Sequence, residues 1–405
     1  VTGVQTCALP ICYIYLYGDI DIEERLEWMD REYLSEHEQI QVRSDIELQK
    51  AFTCMQDIEK EYPITDDEDE RDNTYLSYNL VCGSVMDIKK VVAMQILTYA
   101  LIDTQGAPVR QRLLDEGIGK DILCSYDDGV LQPYIQIISK NANKEQKDDF
   151  IRIINEEFMK ARTEGINKKS LLAGLNSLEF KYREADYGGF PKGLAYGLNA
   201  LSSWLYDDSQ PLLHIELGDI FSSLRDSIDT GYYEDLIDEC LLDNPHSSLV
   251  TLVPRKGLAK EKEEKIAKKL AAYKASLSEE ELQKLIEETK ALDEYQKEPS
   301  SKEDLETIPL LSRDDIKKES RKPSNIEEKV GDIPFIRHDH PTCGIAYISM
   351  IFDCNDIPKR LFPYLGLLKS VISFVDTEHY SFSVLNDEIN IATGGFGWDT
   401  GIYNS

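Results

Sequence analysis

The 405-residue sequence lacks a bilayer-length apolar run and lacks clustered cysteines. Its longest apolar stretch, residues 91–102, is interrupted by Gln95 and Thr98 and is shorter than the ~20 residues that cross a bilayer. The eight cysteines are scattered without a Cys-x-x-Cys pair, which disfavours a zinc ribbon and a dense disulfide framework. Scattered thiols suit a reducing compartment, and no basic-then-apolar signal segment opens the chain, so we expect a cytoplasmic protein.

Positive charge is also scarce. Lys and Arg number 45 against 75 Asp and Glu, which gives a formal net charge of -30. Nucleic acid and anionic lipid surfaces are polyanions and would be repelled by such a chain. The composition therefore predicts no nucleic-acid partner and no membrane partner, and it favours basic or neutral peptides as ligands.

The first 186 residues contain the signals of a mixed helix-and-sheet region. Residues 13–17 are aromatic and branched, as in a strand, and residues 23–34 have a helical apolar face. Alternation predicts a half-buried strand over 76–82, followed by a helix that Asp87 can cap. Two further strands are expected at 122–126 and 134–139, around an Asp-Asp-Gly turn. A capping box at Asn143 and Gln146 and two more helices complete the region.

A composition change marks residues 258–297, which are rich in Lys and Glu. Apolar residues recur there every three or four positions, as on one face of a helix. Ser278 and Glu281 form the Ser-x-x-Glu pattern of a capping box, which predicts a corner between two helices. We expect these helices to pack as an antiparallel hairpin.

A second mixed region begins near Asp332. Residues 344–352 are apolar on both alternating faces, which is typical of a covered strand. Helices are expected over 361–371 and 381–389. The order of elements resembles that of the first region, so the sequence predicts one structural plan used twice.

These features together resemble the presequence-protease branch of the insulinase-like zinc metallopeptidases, peptidase family M16. The resemblance extends over residues 13–405 and depends on the order of several short motifs. They are residues 106–108 (GAP), 114–119 (LDEGIG), 232–236 (YYEDL), 242–246 (LDNPH), 308–310 (IPL) and 340–345 (HPTCGI). The resemblance implies an α+β fold of insulinase-like (LuxS/MPP-like) α/β sandwich domains joined by the antiparallel helical hairpin.

The resemblance also implies a domain map for an internal fragment. Residues 1–11 resemble a translated sequencing adapter and are set aside as an artefact. The expected domains are the tail of a first, catalytic domain at 12–35, a second domain at 36–186, an associated region with the hairpin at 187–330, and a truncated third domain at 331–405.

The family's zinc site uses the motif His-x-x-Glu-His, in which two His ligands lie one helical turn apart. Two Glu-His pairs occur, at residues 36–37 and 378–379, but Tyr33 and Val375 occupy the positions of the first His. His338 and His340 are interpreted as loop-surface residues, because the only carboxylates close by in the sequence are Asp332 and Asp339. We therefore assign no catalytic, cofactor-binding or metal-binding residue in this chain, and we expect it to bind no zinc and to cut no peptide.

The expected function is that of part of a zinc metalloendopeptidase that degrades short unfolded peptides in a closed chamber. The zinc would belong to the full-length protein, and this chain would supply chamber wall and hinge. Two alternatives remain open: a non-catalytic insulinase-fold scaffold or interaction subunit, and a helical adaptor that binds a partner through 258–297. The residues do not decide the oligomeric state.

Overall fold

The computed structural model describes residues 13–38, 45–104, 106–308, 310–316, 319, 324–342 and 344–401. The adapter-like residues 1–11 lie outside this set. The chain divides into two compact units. The first contains the described residues of Val1–Tyr62, Asp66–Arg255 and Ser349–Ser405, and the second contains Pro63–Thr65 and the described residues of Lys256–Ile348.

A five-stranded sheet forms the centre of the first unit. Its strands are β1 (Gln56–Ile64), β2 (Thr74–Val81), β3 (Asp121–Asp127), β4 (Tyr134–Ala142) and β5 (Ser247–Lys256). Their spatial order is β1-β5-β2-β4-β3, and β2 pairs with β4 and with β5 in antiparallel register. Asn79 of β2 lies opposite both Gln136 of β4 and Ser248 of β5. This register fixes which side chains share a face of the sheet.

Helices of the first unit pack on one face of this sheet, and helices make up much of the second unit. They are α1 (Ile22–Met29), α2 (Ile88–Thr98), α3 (Pro108–Asp115), α4 (Lys147–Glu164), α5 (Lys168–Glu184), α6 (Lys192–Trp204), α7 (Gly218–Asp226), α8 (Tyr232–Leu236), α9 (Leu258–Ser276), α10 (Glu279–Lys297), α11 (Lys302–Glu306), α12 (Phe362–Val371) and α13 (Phe382–Ala392). The second unit also contains a strand pair, β6 (Ile326–Val330) with β7 (Ile333–Arg337). Among the described residues, no helix is both long and apolar enough to cross a membrane.

One face of the five-stranded sheet supplies the hydrophobic core. Burial alternates along β2, where Leu76, Tyr78 and Leu80 are buried and their neighbours are half-buried. The buried side chains pack with those of helices α2, α4, α7 and α8, including the fully buried Phe150 and Tyr233. Because a strand points successive side chains to opposite faces, the other face of the sheet carries the half-buried set.

The local signals of the sequence are confirmed. The carboxylate of Asp87 accepts a hydrogen bond from the backbone N–H of Lys90 at the start of α2. The capping boxes at Asn143 and at Ser278 both form with the expected partners. Apart from the strand expected at 13–17, the strands and helices expected in the first region are present within a few residues of the predicted limits. The helices expected over 361–371 and 381–389 correspond to α12 and α13. The α+β fold class is therefore confirmed.

Antiparallel packing of the two helices in 258–297 is not confirmed. Helices α9 and α10 are present and meet at the capped corner. Their apolar stripes, however, are exposed: Ile266 and Leu270 of α9 are 57% and 59% exposed, and Leu292 of α10 is 55% exposed. Side chains buried in a hairpin interface would be largely covered, so the expected interface is not formed by these residues.

Two predicted strands are wrong. Residues 345–352 form no strand, and Ile351 is 94% exposed. Residues 13–17 are extended but unpaired, because they lie along helix α6: the ring of Tyr13 is 5.0 Å from that of Trp204, and Tyr17 contacts Gly193. An extended segment becomes part of a sheet only when a neighbouring strand completes its backbone hydrogen bonds, and no described strand does so in either case.

The expected duplication of the plan is likewise not seen. Of the described residues after Asp332, only 333–337 form a strand, and α12 and α13 are the helices. Helix α13 instead packs on α5, where Ser170 Oγ donates a 2.6 Å hydrogen bond to Asp387 and Asn176 Nδ2 donates one of 3.1 Å to the carbonyl of Ile391. Helix α13 therefore belongs to the first unit.

Candidate functional site

The half-buried face of the five-stranded sheet is the candidate site, and we call it the open face. It carries the side chains that alternate with the core residues of strands β2 to β5. They are Tyr75, Ser77, Asn79, Val81, Leu123, Ser125, Tyr134, Gln136, Ile138, Ser248, Val250 and Leu252. These side chains are uncharged, and neutral polar groups alternate with apolar ones across the strands. Charged residues on the same face, Asp121, Asp127 and Lys140, lie at the ends of β3 and β4.

A row of neutral hydrogen-bonding groups crosses the centre of the open face. Gln136 Nε2 donates to Asn79 Oδ1 at 3.0 Å and to Ser77 Oγ at 3.3 Å. Asn79 Nδ2 donates to Ser248 Oγ at 3.2 Å. Register places Ser125 of β3 opposite Gln136, so the row continues to the edge strand. We call Ser125, Gln136, Asn79 and Ser248 the amide row.

Tyrosines border the amide row on both sides. At one end, Tyr134 Oη donates a 3.1 Å hydrogen bond to Asp127 Oδ2, and burial, with this hydrogen bond, raises the pKa of Tyr134. At the other, the rings of Tyr62 and Tyr75 meet edge to face with centroids 5.6 Å apart. Burial and the neighbouring Tyr75 raise the pKa of Tyr62. The phenols are therefore neutral at physiological pH and present aromatic surface with one polar end.

The chemistry of the open face is that of binding. Amides and hydroxyls donate to and accept from a peptide backbone, and the intervening Val250, Ile138 and Leu252 offer apolar contact. The twelve side chains named above include no thiol, imidazole or carboxylate, and the amide row therefore offers neither an activated nucleophile nor a general base. Its neutral groups cannot by themselves hydrolyse a peptide bond.

The described residues do not fit a zinc ion. They include no group of three or more His, Cys, Asp or Glu side chains placed to hold a metal. His37 and His379 are exposed. His338 and His340 are stacked with ring centroids 6.3 Å apart, and no third ligand accompanies them. A catalytic zinc requires three protein ligands and one open position, so no catalytic step is derived from a metal in this chain.

Sequence reasoning located strands β2, β3 and β4 of the open face but not the amide row. The alternation of Ser77 and Asn79 with buried neighbours was visible in the sequence. Their pairing with Gln136 and Ser248, which are 57 and 169 residues from Asn79, depends on the strand order. The sequence signal for this row was a polar side chain at every second position of a half-buried strand.

Comparison with solved structures gives only partial superposition. A conserved protein from Enterococcus faecalis V583 matches 59% of this chain and 51% of its own length, with a TM-score of 0.45 at 10% identity. A peptidase M16 inactive domain from Pseudomonas fluorescens matches 59% of this chain and 52% of its own, with a TM-score of 0.41 at 13% identity.

Curated proteins match nearly the whole chain. Protein HypA of Clostridium perfringens is 37% identical over 383 residues, which are 95% of this chain and 39% of that protein. Presequence protease 1, chloroplastic/mitochondrial, of Arabidopsis thaliana is 30% identical over 392 residues, which are 94% of this chain and 36% of that protein. The chain thus spans somewhat under two fifths of the length of these relatives.

Two family models match successive parts of the chain. The model described as peptidase M16 inactive domain matches residues 8–178, which contain strands β1 to β4. The model for the associated region of peptidase M16, subfamily C, matches residues 252–405, which contain α9 and α10. These matches agree with the order of motifs in the sequence and do not depend on how α9 and α10 pack. The chain belongs to peptidase family M16 and is related to the presequence proteases of that family.

Proposed function

We propose that this chain is the non-catalytic part of a zinc metalloendopeptidase that degrades short unfolded peptides in a closed chamber. The open face would form part of the chamber wall, and α9 and α10 would act as the hinge. The zinc and its ligands would come from the rest of a longer protein. The observation that carries the proposal is the amide row, an uncharged hydrogen-bonding surface on a sheet that belongs to a peptidase family.

The open face suits unfolded peptides for a physical reason. An unfolded peptide exposes unpaired N–H and C=O groups, which a folded protein has already satisfied internally. The amide row offers donors and acceptors to these groups without selecting a charge, and the apolar neighbours accept side chains of many shapes. Such a surface is suited to bind the peptide backbone without selecting a particular amino-acid sequence.

The remaining parts of the domain map are proposals of the same kind. We propose that 12–35 is the end of the catalytic domain, that 36–186 is the second domain, that 187–330 is the associated region, and that 331–405 begins a third domain. The Lys- and Glu-rich α9 and α10 support the hinge role, since they are long, continuous helices that follow the region matched by the inactive-domain model. A cytoplasmic location and peptide substrates complete the proposal.

Two measurements on the purified chain test the proposal. Metal analysis is expected to find no stoichiometric zinc, and a fluorogenic peptide is expected to remain uncut. Cleavage that a chelator blocks would overturn the assignment of this chain as non-catalytic.

Peptide binding tests the wall role separately. A short, basic, unfolded peptide with a fluorescent label should bind the chain, and Asn79→Leu with Gln136→Leu should weaken that binding by replacing the amides with groups of similar size. Ser209→Ala, in a loop of the same unit, is the matched control and should bind like the parent. Equal binding by the amide variants would reject the open face as the peptide surface.

A further inference from the structure

Helices α9 and α10 each present an apolar stripe to solvent. In α9 the stripe contains Ile266, Leu270 and Tyr273, which are 57%, 59% and 55% exposed. In α10 it contains Leu285 and Leu292, which are 44% and 55% exposed. Spacings of three, four and seven positions put each set on one face of its helix. Contiguous exposed apolar surface of this kind is typical of protein–protein contacts.

A short corner, Leu277 and Ser278, separates the two helices. Ser278 Oγ accepts a 3.2 Å hydrogen bond from the backbone N–H of Glu281, and the backbone N–H of Ser278 donates one of 2.8 Å to the Glu281 carboxylate. Leu277 is extended, with φ of -81° and ψ of 140°. Each helix has 19 residues and is therefore about 28 Å long. Because the stripes on both helices are exposed, this corner does not bury them against each other within one chain.

The side chains that flank the two stripes have opposite charges. In heptad notation the stripes occupy positions a and d, and positions e and g lie on either side of them. Lysines occupy four of these flanking positions in α9, and acidic residues occupy four in α10. They are Lys260, Lys262, Lys269 and Lys274 in α9, and Glu279, Glu281, Glu288 and Asp293 in α10. Because charges at these positions set partner choice between paired helices, α9 is matched to α10 and is repelled by another α9.

One antiparallel register of α9 against α10 satisfies the stripes and the charges together. When Leu270 is set opposite Leu285, Tyr273 falls opposite Leu282, so apolar side chains meet along the seam. In the same register, three flanking lysines fall beside acidic residues of the other helix. The pairs are Lys260 with Asp293, Lys269 with Glu288, and Lys274 with Glu279. The two helices therefore have complementary surfaces along most of their length.

We propose that a second copy of this chain covers the stripes, in a two-fold dimer in which α9 of each copy packs against α10 of the other. A two-fold axis repeats the α9–α10 contact, so one self-complementary surface buries all four stripes. Exchange of an identical element between copies is a low-cost route to such dimers. The structure favours a second copy over a hairpin within one chain, because both stripes are exposed in the single chain. The proposed hinge role of α9 and α10 does not require this dimer.

The overall charge of the chain opposes this association, and salt limits the opposition. Each copy has a formal net charge of -30, so two copies repel each other. At about 0.15 M salt that repulsion is screened beyond about 8 Å, whereas the Lys and Glu side chains at the interface would be in contact. Dimerisation depends on protein concentration, so well below the dissociation constant the stripes remain exposed, as they are in the structure.

Sedimentation equilibrium of the purified 405-residue chain tests the proposal at about 0.15 M salt, from about 1 μM to about 1 mM protein. The mass should rise with concentration from the 46.3 kDa of one chain to twice that value. Leu270→Asp should prevent the rise, because it places a charge in the stripe of α9. Leu305→Asp is the matched control: Leu305 is 49% exposed in helix α11, outside the stripes, and the variant should dimerise like the parent.

Charge reversal separates pairing between copies from pairing within one chain. One variant combines Lys260→Glu with Lys269→Glu, and the other combines Glu288→Lys with Asp293→Lys. Each alone should remain monomeric at concentrations at which the parent dimerises, because like charges then face each other at the reversed positions. An equal mixture of the two should form a heterodimer, since each reversed helix then meets a helix of opposite charge in the other chain. Pairing within one chain cannot produce this rescue.

The proposal is overturned if the parent chain stays monomeric over this range, or if it dimerises and Leu270→Asp dimerises equally well. A monomer in which Leu270→Asp speeds amide hydrogen exchange of α9 would instead assign the stripe to a hairpin within one chain. A parent dimer without rescue in the mixture would place the interface elsewhere. Circular dichroism checks that each reversed variant keeps its helices. If one does not, the single reversals Lys269→Glu and Glu288→Lys replace the double ones in the same comparison.

Discussion

Gly119 lies where neither the backbone conformation nor the available space admits a side chain. Its φ is +77°, and a Cβ atom built there would lie 2.1 Å from Ser139 Oγ and 2.6 Å from the carbonyl oxygen of Lys140. Gly117 has a similar φ of +71°, but nothing lies within 4 Å of its Cβ position. Substitutions at the two glycines therefore separate the free-energy cost of a strained backbone conformation from that of steric crowding.

We expect Gly117→Ala to lower the free energy of unfolding by about 1 kcal/mol, because alanine is strained at positive φ. Gly119→Ala should cost roughly 1–3 kcal/mol more, because the added methyl group displaces strand β4. Urea unfolding of the two variants measures the difference. Equal losses would mean that the loop before β3 relaxes without disturbing the strand.

His214 predicts a pH dependence of stability. It is buried, and its Nε2 lies 3.0 Å from the carbonyl oxygen of Val85, so the neutral ring donates there. Burial lowers the pKa of His214 below its ordinary 6.5, although Val85 and Asp128 act in the opposite direction. The unfolded chain thus takes up a proton at a higher pH than the folded one. The stability that depends on the neutral ring is present above about pH 6.5 and is lost as the pH falls through the folded pKa.

The measurement compares urea unfolding of the parent chain and His214→Gln between about pH 7 and pH 5. Glutamine keeps an N–H donor but does not titrate in this range. The parent should lose more stability than the variant as the pH falls. Asp128 faces His214. Burial raises the pKa of Asp128 and His214 lowers it, so the comparison measures the titration of the His214–Asp128 pair. Parallel pH profiles would contradict the prediction.

Elements defined by local signals were predictable, whereas those defined by distant partners were not. Asp87, Asn143 and Ser278 cap helices through residues three positions away, so the sequence contains the whole interaction. Strand β1 was not predicted, because most of its side chains are exposed and charged residues break its alternation. Residues 345–352 show the opposite failure: the apolar pattern favoured a strand, but a strand also needs a pairing edge.

The apolar stripe of α9 provides a test at the scale of a single helix. In the structure, Leu270 is 59% exposed, so Leu270→Ala should change the free energy of unfolding by less than about 0.5 kcal/mol. Leu175→Ala, in helix α5, removes a side chain that is 0% exposed and should cost about 2–5 kcal/mol. Urea unfolding measures the free energy of unfolding of both variants, and hydrogen exchange of the α9 amides measures the local stability of that helix. If Leu270→Ala strongly lowered the free energy of unfolding and sped up amide hydrogen exchange in α9, the apolar stripe would be packed in solution, as it would be in an α9–α10 hairpin.

At the scale of the whole molecule, the family was predictable from sequence and the candidate site was not. Motifs such as residues 114–119 and 242–246 are short and contiguous, so their order can be read directly from a single sequence. The amide row, by contrast, exists only after four strands have been placed in register. The absence of the His-x-x-Glu-His motif directed attention away from catalysis, but it did not indicate a binding surface.

The net charge of -30 predicts how peptide binding will respond to salt. The amide row itself is uncharged, so attraction of a basic peptide must come from the charges around it and from the field of the whole chain. That field is screened over about 10 Å at 0.1 M salt and about 3 Å at 1 M. A basic peptide should therefore lose affinity severalfold between these salt concentrations. A neutral peptide with the same apolar residues should change little, because its contacts are hydrogen bonds and apolar packing. Fluorescence anisotropy measures both titrations, and an equal response of the two peptides would show that the acidic composition plays no part in recruiting substrate.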